Sequence, residues 1–167
     1  MQKHSRLKSN RLKDYNYTSP GMYFVTMCTF QHKSIFGHIR ETEIILNEFG
    51  KTANQCWLDL PNHYSNITLD EYIIMPDHVH GSIQINDFYL GEGLKSAPTI
   101  NHGLSEIIRG FKTFSARRIN DLRKSLITLV WQRSFYDHII RNNSDLEDIR
   151  SYIYYNTSHP SNHHLAS

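Results

Sequence analysis

Hydrophobic and polar positions along the chain follow two different periods, and the changes between them predict the order of elements. Residues 22–30 form an apolar run rich in β-branched and aromatic side chains, which is typical of a strand buried on both faces. Residues 41–60 then carry apolar side chains at helical spacing, and Pro61 closes that segment. The first third of the chain therefore predicts a strand followed by a helix.

The rest of the chain continues this pattern of strands and amphipathic helices. The predicted elements are strands at 67–75 and 78–85, a glycine- and proline-containing loop at 86–100, a helix at 104–124, a short strand at 126–131 and a last helix at 144–157. The two strands at 67–85 are close enough in sequence to form a hairpin.

This order of elements predicts an α+β fold. It matches a ferredoxin-like, or RRM-like, split βαβ antiparallel sheet with helices packed on one face and an extra C-terminal helix. Residues 1–20 are polar and basic and are expected to form an arm. We expect one domain over residues 21–160 and a polar tail over residues 161–167.

Composition supports a globular protein and excludes several classes. Of the 167 residues, 39% are hydrophobic and 20% are charged, which argues against disorder. No apolar run reaches the roughly 18 residues of a transmembrane helix, and no apolar stretch follows the basic N-terminus as in a secretory signal. Cys28 and Cys56 are too few for a disulfide framework. We therefore expect a reduced, cytoplasmic protein with no membrane partner.

Basic residues are segregated along the chain, although the net charge is only +2. One group lies in the N-terminal arm and another in the predicted helix at 104–124. The members of interest are Arg6, Lys8, Arg11, Arg109, Lys112 and Arg117. Segregated basic segments can follow a phosphate backbone, so these residues are candidate DNA contacts. A solvated protein face accounts for the charge equally well.

The segment His78-Val79-His80 is the sharpest local feature. Side chains alternate along a strand, so both histidines share one face, about 6.6 Å apart at Cα. Imidazoles at that spacing can converge on one metal ion. The alternative is two polar residues on the solvent-exposed face of a sheet.

The last predicted helix offers a nucleophile and a third ligand. Tyr152 and Asn156 are four residues apart and therefore share a helix face, beside the apolar positions Ile149 and Ile153. The Asn156 amide oxygen is a possible third ligand, and a metal beside Tyr152 would favour its phenolate. The alternative for Tyr152 is ordinary packing of an amphipathic side chain.

Several motifs resemble one family. Residues 72–80, YIIMPDHVH, resemble the metal motif of the single-tyrosine HUH transposases, named for His, a bulky hydrophobe and His. Residues 11–26, 131–142 and 148–156 resemble the opening, the mid-to-late signature and the nucleophile helix of one branch, the REP-associated tyrosine transposases. These matches span nearly the whole chain.

The resemblance implies roles for particular residues. It makes Tyr152 the nucleophile and makes His78, His80 and Asn156 the ligands of Mg²⁺ or Mn²⁺. Thr157 stands where relatives often have proline, which affects the helix end and not the ligand. Tyr154 and Tyr155 lie beside Tyr152, but neither is four residues before an amide.

The resemblance also implies an activity. The protein would cleave and rejoin single-stranded DNA at a hairpin or palindromic repeat through a 5′-phosphotyrosine intermediate. It would need no small-molecule cofactor and would act as a monomer or homodimer. Arg133 is a further candidate DNA contact, and Tyr15 a candidate for base stacking. The alternatives are a non-catalytic single-stranded nucleic-acid-binding module on the same fold and a replication-initiator-type nickase.

Overall fold

The computed structural model describes residues 15–87, 102–124 and 128–158. In chain order the elements are β1 (Gly21–Cys28), a 3-10 turn (Phe30–His32), β2 (Gly37–Arg40), β3 (Glu43–Leu46), α1 (Glu48–Leu58), α2 (Leu60–His63), β4 (Ile67–Ile74), β5 (His78–Ile85), α3 (Leu104–Arg123), β6 (Tyr136–Ile140) and α4 (Asn143–Ser158). Within these ranges no helix has the length and apolar character needed to cross a membrane.

Four strands form one antiparallel sheet in the order β4-β5-β1-β6, and β2 pairs with β3 in a separate hairpin. β5 lies between β1 and β4 and pairs antiparallel with both. The connection from β1 to β4 contains α1, so these elements form a split βαβ unit. The α+β, ferredoxin-like fold predicted from the sequence is therefore confirmed.

The main core lies between one face of this sheet and helices α1 and α3. It is built around fully buried side chains from the sheet and both helices, among them Trp57 of α1, Phe111 of α3 and Val79 of β5. The rings of Trp57 and Phe111 meet edge to face, with centroids 5.4 Å apart. This packing gives the sheet a rigid base on which β5 can hold functional side chains.

A second, smaller cluster covers the opposite face of the sheet. Its buried members are Phe24, Ile73, Met75, Ile149 and Ile153, which come from β1, β4, the turn after β4 and α4. The β2–β3 hairpin adds partly buried apolar side chains to its edge. Helix α4 therefore lies on the face opposite α1 and α3, because Ile149 and Ile153 find their apolar partners there.

The helix predicted at 41–60 was wrong in its first turns. The structure places Glu43–Leu46 in strand β3, where Ile44 pairs with Ile39 of β2. Helix α1 begins only at Glu48, and the Asn47 side chain caps it by accepting hydrogen bonds from two backbone amides at 2.9 and 3.0 Å. The adjacent isoleucines fit a helical stripe, but cross-strand pairing decides their conformation.

The fourth sheet strand also differs from the prediction at 126–131. It is β6, which begins at Tyr136, and residues 125–127 lie outside the described ranges. Trp131 forms only an isolated bridge with Thr29. Its buried indole nitrogen donates a hydrogen bond to Ser115 Oγ at 2.9 Å. Trp131 is therefore a core residue that joins the loop before β6 to α3.

Candidate active site on the α4 face of the sheet

Strand β5 directs His78 and His80 to the face covered by α4. Both side chains are buried, with 6% and 2% of their surfaces exposed, so the alternative of two solvent-exposed polar residues is excluded. Their Nε2 atoms are 3.1 Å apart, and their rings meet edge to face. The alternation expected of a strand therefore brings the two imidazoles to one point.

The outer nitrogens of both rings have oxygen partners. His78 Nδ1 lies 2.7 Å from Asp77 Oδ1, and His80 Nδ1 lies 2.8 Å from Thr26 Oγ1. An Nδ1–H that donates to such an oxygen leaves the Nε2 lone pair available, which is the arrangement that ligand histidines require. The sequence did not single out Thr26 or Asp77, because their role depends on β1 lying beside β5.

Asp77 is held in its charged form. Burial raises the pKa of its carboxyl, but the hydrogen bond with His78 and the electrostatic interaction with the His78 and His32 side chains outweigh burial and lower that pKa below its usual range. A charged carboxylate is a strong acceptor for His78 Nδ1–H. Asp77 thus fixes the orientation of the His78 ring.

Helix α4 brings Tyr152 to the histidine pair. Ile149 and Ile153 are buried against the sheet, and the Tyr152 hydroxyl lies 3.3 Å from His80 Nε2. Phe24 stacks on the His80 ring and meets the Tyr152 ring edge to face, at centroid distances of 5.4 and 6.1 Å. Tyr152 remains 40% exposed, so its side chain is partly accessible from solvent.

The neighbouring tyrosines are less enclosed. Tyr154 is 73% exposed and Tyr155 is 50% exposed. The hydroxyl contact with His80 therefore favours Tyr152 over both.

Asn156, one helical turn after Tyr152, suits a ligand position. Its side chain is 4% exposed, and its Nδ2 has no hydrogen-bond partner among the described residues. A buried amide group without a partner is unusual and calls for an explanation. Because the two ends of an asparagine amide are assigned from their hydrogen bonds, a flipped amide would present Oδ1 at the same position.

The donor set also fits a small divalent ion. Two nitrogens at about 2.1 Å from one ion and at right angles to each other are about 3.0 Å apart, close to the observed separation of 3.1 Å. Across the described ranges, no cluster of three or more His, Cys, Asp or Glu side chains is arranged for metal binding. The assignment of Asn156 as the third ligand beside His78 and His80 stays a prediction.

The candidate DNA contacts on α3 lie away from this site. Arg109 and Arg117 are exposed, but α3 packs on the opposite face of the sheet from α4. The structure therefore does not bring these two arginines together with His78, His80 and Tyr152. Their assignment as DNA contacts stays a prediction.

Lys112 has an internal role. Its Nζ donates hydrogen bonds to the backbone carbonyls of Gln132 and Ser134 at 2.9 and 2.7 Å. Burial lowers the pKa of Lys112 to about 8. Lys112 thus ties down the loop before β6, on which Arg133 is exposed.

Tyr15 also has partners within the protein. Its hydroxyl lies 3.2 Å from that of Tyr23, and its ring meets the Tyr17 ring edge to face at 5.0 Å. Base stacking on Tyr15 stays a prediction that these contacts do not favour. The other arm candidates, Arg6, Lys8 and Arg11, lie outside the described residues.

Sequence similarity to known proteins covers most of the chain, although no family model matches it. An uncharacterized protein of Haemophilus influenzae is 37% identical over 153 residues, covering 87% of this chain and 85% of that protein. A second protein of that organism, provisionally named a REP-associated tyrosine transposase, is 26% identical over 148 residues. That match covers 89% of this chain and 75% of the relative.

Two solved structures share the fold. One is a REP-associated tyrosine transposase bound to a REP hairpin, with a TM-score of 0.56, 18% identity, and coverage of 87% of this chain and 72% of that one. The other, provisionally named a transposase, is from Deinococcus radiodurans and has a TM-score of 0.52, 17% identity, and coverage of 87% and 95%.

The chain therefore shares its fold with these two proteins, and on that fold its paired histidines lie beside a helix-borne tyrosine. In sequence, the chain resembles a REP-associated tyrosine transposase over most of its length.

Proposed function

We propose that this protein binds hairpin or palindromic single-stranded DNA, and that it cleaves and rejoins the strand through a covalent bond to Tyr152. The observation that carries the proposal is the Tyr152 hydroxyl 3.3 Å from Nε2 of His80, which is itself 3.1 Å from Nε2 of His78. A buried imidazole pair beside a partly exposed phenol is suited to phosphoryl transfer. The structural neighbour that was solved bound to a REP hairpin supports this class of substrate.

The chemical step exchanges one phosphate ester for another. The Tyr152 oxygen forms a bond to the scissile phosphorus, and the bond between that phosphorus and the 3′ oxygen breaks. The phenol loses its proton and the departing oxygen gains one, which leaves a 5′-phosphotyrosine and a free 3′-hydroxyl. Because no water enters, the reverse attack by a 3′-hydroxyl restores an intact strand.

His78, His80 and Asn156 are the residues that would hold Mg²⁺ or Mn²⁺. A bound divalent ion would supply charge stabilisation to the scissile phosphate and favour the phenolate form of tyrosine. Asp77 and Thr26 hold the two imidazole rings at their Nδ1 atoms. Phe24 restricts the rings of His80 and Tyr152. These contacts preorganise the site before DNA arrives.

A covalent adduct with DNA tests the nucleophile. Labelled single-stranded hairpins with a randomised foot are incubated with the protein and Mn²⁺ and are resolved under denaturing conditions. We expect a protein–DNA adduct with the wild type and with Tyr155→Phe, and none with Tyr152→Phe. An adduct that persists in Tyr152→Phe contradicts the assignment. Hairpin binding with no adduct in the wild type supports the alternative of a non-catalytic binding module.

The histidine pair is tested by separating cleavage from binding. We expect His80→Ala to abolish cleavage and to leave hairpin binding within a fewfold of the wild type, since the pair lies beneath α4 and contributes little DNA-facing surface. A gel-shift titration measures binding, and the labelled hairpin measures cleavage. Loss of binding together with cleavage would make His80 a structural or DNA-contacting residue.

A further inference from the structure

We propose that Asp70 and Arg150 are positioning residues, which set the rotation of α4 about its axis and so direct Tyr152 toward His80. The two side chains form a paired contact between β4 and α4: Arg150 Nη2 lies 2.7 Å from Asp70 Oδ1, and Arg150 Nε lies 3.1 Å from Asp70 Oδ2. The catalytic part of this proposal rests on the proposed function. Its structural part concerns the docking of α4 and can be measured without DNA.

A bulge in β4 places Asp70 where α4 can reach it. The pairing of β4 with β5 shifts register between Leu69 and Tyr72. Ile67 and Leu69 pack on the main core before the shift, whereas Tyr72 and Ile74 do so after it. One extra residue in a strand has this effect, because it reverses which positions face each side of the sheet. Asp70 lies at that point and meets α4 on the opposite face from the main core.

Apolar packing alone does not define the rotation of α4. Ile149 and Ile153 attach α4 to the sheet through the smaller hydrophobic cluster. Because hydrophobic contact is non-directional, these two side chains permit a range of rotations of α4 about its axis. With about 100° between successive residues, Arg150 lies about 100° from Ile149 in one direction, and Tyr152 lies about 60° from it in the other. Arg150 and Tyr152 therefore flank the buried stripe on opposite sides.

The sheet order matches this arrangement. The strand next to Arg150 is β4, at the edge of the sheet, and the residue next to Tyr152 is His80, on the neighbouring strand β5. A two-point ion pair on one flank of the helix resists rolling, because rolling would break both hydrogen bonds. The same hydrogen bonds with Arg150 lower the pKa of Asp70, so the pair is charged at neutral pH.

Glu147 supplies a matched control. It forms a second ion pair with Arg150 at 2.9 Å within α4, and its side chain is 68% exposed. A pair inside one helix supports that helix but does not tie it to the sheet. Removal of Glu147 therefore takes away one ion-pair partner of Arg150 but leaves the contact between Arg150 and β4 intact.

The experiment compares Asp70→Asn, Arg150→Lys and Glu147→Gln with the wild type, using two readouts. The first is amide hydrogen exchange of α4 relative to β1 and β5. The second is the single-turnover rate of adduct formation on labelled hairpin DNA with Mn²⁺, alongside the Kd for that hairpin. For Asp70→Asn we expect exchange in α4 to be about three- to tenfold faster, with β1 and β5 unchanged.

Without the ion pair, Tyr152 should be less well oriented toward His80. Asp70→Asn should therefore form the adduct about tenfold more slowly or worse, with Kd within twofold of the wild type. Arg150→Lys should fall in between, because lysine keeps the charge but not the two-point geometry. Glu147→Gln should match the wild type in both readouts. The proposal is overturned if α4 of Asp70→Asn exchanges its amide hydrogens at the same rate as α4 of the wild type. If the wild type forms no adduct, the proposed function fails, while the exchange data still decide the role of the ion pair.

Discussion

Replacing Thr26 with valine isolates the hydrogen bond that holds His80. Valine has nearly the shape of threonine, so Thr26→Val removes the Oγ1 partner of His80 Nδ1, 2.8 Å away, without opening a cavity. Both side chains are buried, at 6% and 2% exposed, and water cannot replace the lost partner. A buried polar atom left without a partner costs about 1–3 kcal/mol. We expect that loss in the free energy of unfolding, and a Tm lower by about 2–12 °C.

The proposed ion provides the second readout. Removing a partner that orients a ligand histidine typically weakens metal binding about 10- to 100-fold, so Mn²⁺ affinity measured by calorimetry should fall by that amount in Thr26→Val. Thr26→Ser is the control. It keeps the hydroxyl and loses one methyl group, which costs about 1 kcal/mol, and its Mn²⁺ affinity should stay near that of the wild type. Thr26→Val with unchanged urea midpoint and unchanged Mn²⁺ affinity would refute this account of Thr26.

Three further predictions concern packing and charge. Gly81→Ala should destabilise the protein by about 1–3 kcal/mol in urea denaturation, because its Cβ would lie 2.3 Å from the ring of fully buried Trp57. Gly21→Ala, whose Cβ would meet only ordinary contacts from 3.5 Å, should cost much less. Burial lowers the pKa of Lys112 to about 8, so the unfolded chain binds more protons above that pH. The wild type should therefore gain stability relative to Lys112→Met between about pH 8 and 10, and a constant difference across that window would contradict the burial effect. Hydrogen bonds from Arg150 lower the pKa of Asp70, so its contribution is present above about pH 4 and is lost as pH falls through the lowered value. The Tm difference between wild type and Asp70→Asn should accordingly shrink between pH 7 and pH 3. A Tm difference that stays constant over this range would contradict a charged role of Asp70.

Features with a strong local period could be predicted from the sequence. Strand alternation placed His78 and His80 on one face, and helical spacing placed Tyr152 and Asn156 on the side of α4 next to Ile149 and Ile153. These predictions depend only on the geometry of a single element. The order of strands and helices then followed from the sequence of such elements, and it was enough to define the ferredoxin-like sheet.

Features that depend on pairing between distant segments could not be predicted in this way. Ile44 and Ile45 fit a helical stripe, and only their pairing with β2 makes them a strand. Residues 126–131 are apolar and β-rich in sequence, but the edge position beside β1 is taken by β6. The N-cap was the local signal that was overlooked: Asn47 marks the start of α1, and a helix does not extend backward through its own cap.

The supporting residues of the site show the same dependence on non-local structure. Thr26 and Phe24 belong to β1, yet they reach His80 because the β1–β5 register sets Thr26 directly opposite His80. That register is fixed by the main core, where Val25 and Val79 must face α1 and α3. A slip of one residue would turn Phe24 and Thr26 into the core and their apolar neighbours toward α4. The packing of the main core on one face of the sheet therefore also positions the side chains around His80 on the other face. For this reason, core substitutions that loosen the β1–β5 register should impair the His80 environment even though they touch none of its residues.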